Sequence, residues 1–106
     1  MDLIPVAGIA GPEPALLAWC ERVPKVELHL HLEGAIPHPT MLELVRKYEP
    51  GGPVGDLATL VERFRYRDFP HFLDVWAWKH GFLRETDDFA LIAEAVAADL
   101  VSQRVH

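Results

Sequence analysis

Residues 26–32 read Val26-Glu27-Leu28-His29-Leu30-His31-Leu32, and the fold class turns on how that stretch is read. Its period of two places Val26, Leu28, Leu30 and Leu32 on one face of a strand and Glu27, His29 and His31 on the other. Pro24 favours an extended start, and Glu33-Gly34-Ala35 turns the chain at the far end. A wholly aliphatic face suits a strand covered by helices. With Glu27 deeper on the polar face, its default role is that of a structural carboxylate.

Working outward, prolines and glycines divide the rest of the chain. Residues 1–14 (MDLIPVAGIAGPEP) form a loose apolar arm, and Pro14 to Arg22 reads as a short helix with Leu16, Leu17 and Trp19 available for burial. Beyond the strand, a helix is predicted over Pro37–Tyr48, with Thr40 and Glu43 at capping-box spacing and Pro39 tolerated near its first turn. Asp56 to about Arg65 carries Leu57, Leu60, Val61 and Phe64 at amphipathic spacing. Asp68 can cap the next helix, along which Phe69, Phe72, Leu73, Trp76 and His80 share one side until Gly81 weakens it. Thr86-Asp87-Asp88 offers a hydroxyl cap and negative charge at a helix start, and that helix runs to Ser102 or Gln103. Arg104-Val105-His106 falls where a second strand would begin. The architecture is therefore α/β: one strand followed mainly by helices, with residues 24–106 as a first βα unit carrying inserted helices. A lone strand leaves both edges unpaired, so further strands are expected from elsewhere.

Composition narrows the function. Half of the 106 residues are hydrophobic and a quarter charged, with net charge −6 and the two signs interspersed, a balance that argues for a globular chain. No Lys/Arg cluster marks a nucleic-acid or membrane surface, and a small neutral or cationic ligand fits better than a polyanion. The single cysteine, Cys20, rules out an intrachain disulfide and fits a reducing compartment. Asp2, Pro5 and Gly8 spoil a secretory signal, and no run reaches the roughly 18 apolar residues of a membrane span. A cytoplasmic location is expected.

The chemistry lies in His29 and His31. Spacing i, i+2 puts both imidazoles on one strand face, and imidazole nitrogen is a good zinc ligand. On its own, a His-x-His pair on a half-exposed strand reads first as two solvated side chains. Burial against the leucine face would favour a metal, since buried imidazoles without partners are costly. Two ligands are still only half of a zinc site. His38, His71, His80 and His106 show no ligand spacing and suit surface or cap roles. The aromatics Phe69, Phe72 and Trp76 read as packing or as a pocket wall.

The run Pro24-Lys25-Val26-Glu27-Leu28-His29-Leu30-His31-Leu32-Glu33-Gly34-Ala35-Ile36 resembles the first-strand signature of the adenosine deaminase family, in the amidohydrolase superfamily. More weakly, Phe72-Leu73-x-x-Trp76 resembles the family's aromatic helix over the substrate pocket. Thr86-Asp87-Asp88-Phe89 through Asp99-Leu100 resembles the helix leading to its second barrel strand. The resemblance covers about residues 15–106. It implies the N-terminal portion of a TIM-type (β/α)₈ barrel, a fold of about 250 residues. It also implies zinc, held by His29 and His31 here and by a histidine and an aspartate from later strands. In the family the metal activates water for attack on C6 of an aminopurine, and ammonia leaves. His31, Glu33, Phe72, Leu73 and Trp76 are the substrate-binding residues the resemblance implies; none of the catalytic acid–base groups falls in this chain.

Glu33 departs from the aspartate that contacts the ribose 5′-hydroxyl in typical adenosine deaminases. The extra methylene moves the carboxylate by roughly an ångström or more, enough to alter a hydrogen bond. Relatives acting on adenine also carry glutamate there, so adenine or a modified nucleoside rivals adenosine. Two rival readings stay open: another amidohydrolase using the same His-x-His strand, and a truncated fragment without catalysis. By itself the 106-residue chain is expected to be inactive. The cytidine-deaminase pattern H-x-E with P-C-x-x-C is absent from the sequence.

Overall fold

The computed structural model describes residues 11–106; most of the arm expected over 1–14 lies outside the described residues. Five helices follow in order: α1 Pro14–Arg22, α2 His38–Tyr48, α3 Leu57–Arg63, α4 Phe69–His80 and α5 Thr86–Ser102. A 3-10 turn spans Leu32–Gly34.

The expected strand over 26–32 does not form a ladder. Among the described residues, β pairing is confined to an isolated parallel bridge between Lys25 and Val105. Lys25 N donates to Arg104 O at 2.8 Å, and His106 N donates to Lys25 O at 2.9 Å. Regular strand structure needs a partner along its whole length, and here the partner segment meets the chain only at Lys25. Beyond it, Glu27 Oε1 accepts from the His29 amide at 3.0 Å, so a side chain takes a donor that a ladder could have used. Val26 and Leu28 are consequently 69% and 92% exposed, not covered as the alternation predicts. The parallel bridge does fall at Arg104–His106, the segment expected to begin a second strand.

The helices follow the sequence more closely, with differences at their starts. Proline at position 39 lies in the first turn of α2, where its missing N–H costs nothing. The Thr40–Glu43 capping box is not formed, because the helix begins at His38 with Pro37 at its cap and no side-chain cap bond. Asp56 caps α3 by accepting from Thr59 N at 2.8 Å, and Asp68 caps α4 by accepting from His71 N at 2.8 Å. Glu85, not Thr86, occupies the cap position of α5. The reason is Asp88, whose Oδ2 accepts from the amides of Arg84 and Glu85 at 3.0 Å each.

The core lies between α2, α3 and α5. It is built from Ile36, Met41, Leu42, Leu44, Val45, Val54, Leu60, Phe82 and Ile92. Helix α1 buries none of its residues, and Leu16, Leu17 and Trp19 face solvent. Their hydrophobicity predicts burial, but no described element packs over that face.

Candidate functional site

The turn at Leu32–Gly34 and one side of α4 create the site. His31 keeps extended backbone (φ −91°, ψ 111°) just before the 3-10 turn. The turn brings Gly34 against α4, where a Cβ would come within 3.3 Å of the Trp76 ring. Only a residue without a side chain lets the indole approach that closely at no cost.

Along α4 the i, i+3, i+4 spacing stacks an aromatic ladder. Ring centroids are 5.9 Å apart for Phe69–Phe72 and for Phe72–Trp76, and 5.0 Å for Trp76–His80. His80 Nδ1 lies 2.8 Å from the Trp76 carbonyl oxygen, which fixes the end of the row.

Between the ladder and the extended segment is an open cleft of about 500 Å³ lined by His29, Leu30, His31, Gly34, Ala35, Phe72, Leu73 and Trp76. That volume is within the range of small-molecule pockets. The His29 and His31 rings lie 5.1 Å apart and within 24° of parallel, at one solvent-exposed edge. Leu30 lines the same cleft, although strict alternation would have turned it to the opposite face; without a ladder the period of two is not enforced. Glu33 is half-buried and is not part of the lining.

Two imidazoles at the mouth of one cleft have the donor chemistry for zinc but supply half of a tetrahedral set. Among the described residues, no group of three or more His, Cys, Asp or Glu side chains is placed to hold a metal ion. Of the other histidines, the His38 ring stacks on Phe64 at 5.3 Å, and His71 Nδ1 accepts from Arg67 N at 3.1 Å. Glu27 is exposed, not a buried structural carboxylate.

Sequence reasoning missed Lys79. It is only 5% exposed, and its Nζ lies 4.3 Å from the Trp76 ring centroid and 6.0 Å from that of Phe64. Its position three residues after Trp76 on α4 is the signal that would have found it.

The sequence profile of adenosine deaminase matches residues 24–106, and the chain belongs to that family, in the amidohydrolase superfamily. It is 32% identical over 91 residues to the aminodeoxyfutalosine deaminase of Streptomyces coelicolor, covering 86% of this chain and 24% of that protein. It is 35% identical over 72 residues to the aminodeoxyfutalosine deaminase of Acidothermus cellulolyticus (68% and 20% covered). With the adenine deaminase of Bordetella parapertussis it shares 37% identity over 71 residues (67% and 22% covered). The chain thus spans about a quarter of the length of these relatives. No solved structure matches it. None of the helices described is long and apolar enough to cross a membrane.

Proposed function

We propose that this chain is the opening segment of a cytoplasmic, zinc-dependent aminopurine deaminase and that His29 and His31 are its first two metal ligands. The observation that carries the reading is the cleft, which gathers both histidines with Phe72, Leu73 and Trp76 in a chain of the deaminase family. Zinc held there would supply a Lewis acid able to activate water at neutral pH. The chain's own contribution is to present two imidazoles at the cleft edge and a flat aromatic wall against which a purine can stack. The remaining ligands and the acid–base groups are proposed to come from later strands of a (β/α)₈ barrel.

The substrate proposed is adenine or an adenine-type nucleoside, as the names of the relatives and the glutamate at position 33 favour. Glu33 is proposed to read the sugar side of a nucleoside. In the complete enzyme, Glu33→Ala is expected to lower kcat/KM for adenosine more than for adenine, measured as ammonia release. Equal losses on both would count against that role. The 106-residue chain alone, with two imidazoles at the cleft, is expected to release no ammonia from either compound; release by the purified chain would overturn the division of labour proposed here.

A further inference from the structure

Lys79 projects from α4 into the packed side of the cleft wall. Burying an ammonium is costly without compensation, and among the described residues Lys79 makes no ion pair or side-chain hydrogen bond. Among the described residues, no unpartnered side-chain nitrogen or oxygen is sealed from solvent, so the tip of the ammonium keeps a trace of access to water. Its compensation comes from two sources. One is the π face of Trp76, 4.3 Å away, with Phe64 further off; a cation over an indole is attracted by the ring quadrupole. The other is Glu33: burial pushes the Lys79 ammonium below its ordinary value, and the Glu33 carboxylate opposes that shift. Glu33 immediately precedes Gly34, the residue against which the Trp76 ring closes. The ammonium, the indole and the turn are therefore one connected cluster behind the cleft.

We infer that Lys79 is a positioning residue of this cleft, holding the Trp76 indole in place as its wall. Its importance for substrate rests on the reading of this cleft as the substrate site, but the contact itself belongs to this chain. A methionine would fill the same space without desolvating a charge, so packing alone does not call for lysine. The cation adds a hold on the ring that meets the turn at Gly34.

The test uses the 106-residue chain with ¹⁵N-labelled tryptophan, the Trp76 indole signal being assigned through Trp76→Phe. Lys79→Met is expected to shift the Trp76 indole resonance, and Lys79→Arg to restore it substantially. An indole resonance equally displaced in the Met and Arg variants would overturn the inference. The readout needs neither zinc nor substrate. Failure here is therefore separable from failure of the deaminase reading, which is judged by ammonia release.

Discussion

Asp88 sits in the first turn of α5 with 1% of its surface exposed, and its carboxylate accepts from four donors. These are Lys47 Nζ at 2.7 Å, the Tyr48 hydroxyl, and the backbone amides of Arg84 and Glu85. Burial alone would raise its pKa, but the bonds from Lys47, Tyr48 and the two amides outweigh that and hold it well below the ordinary 3.8. Lys47 is raised in turn, first by Asp88 and then by Tyr48 and Glu85. The stability contributed by Asp88 is thus fully present above its ordinary value and is lost as pH falls through the lowered one. That of Lys47 is fully present below 10.5 and is lost as pH rises through its elevated value. Asp88→Asn is expected to lower Tm at neutral pH and to flatten the acid limb of the Tm–pH curve, so that the two proteins converge at low pH. Parallel curves would contradict the network. The sequence shows Asp88 as a helix-start charge, but its tie to α2 depends on two side chains some 40 positions away and is not visible locally.

At the scale of elements, α5 ends in a Schellman motif, with Val105 N donating to Leu100 O and Arg104 N to Val101 O at 3.0 Å each. Arg104 takes the left-handed position with φ 58°, which glycine occupies without strain. This turn carries the chain back to Lys25, whose Nζ also donates to the Gln103 carbonyl at 2.8 Å. Arg104→Gly is expected to stabilise the chain by roughly 0.5–1 kcal/mol, the left-handed cost removed less the added entropy of glycine, and Arg104→Val to destabilise it. Urea unfolding measures both; destabilisation by glycine would contradict the cap. Helices were legible because their signals are local: Asp68, Pro39 and the apolar stripes lie within the elements they shape. The strand was not, because alternation at Val26–Leu32 specifies which side chains share a face without supplying the backbone partner that makes a ladder.

For the molecule as a whole, the core between α2, α3 and α5 is closed, whereas the extended segment beside the cleft is not. Leu28 and Val101 face solvent, and an uncovered extended segment retains free backbone donors and acceptors. The candidate site is legible to the same extent. His29, His31, Phe72, Leu73 and Trp76 meet at one cleft, a juxtaposition that the family signature implies. Glu33 stands apart from the lining, and Lys79 joins the cluster only through packing of α4 on the turn. The central claim is that His29 and His31 act together toward a metal. Its most direct test is to titrate the 106-residue chain with Zn²⁺ while following all six histidine rings by ¹⁵N NMR. The account predicts that the His29 and His31 imidazole signals move together, that either His→Ala substitution abolishes the response of the other, and that His38, His71, His80 and His106 stay in place. Independent responses of the two rings, or an equal response from the other four, would contradict it.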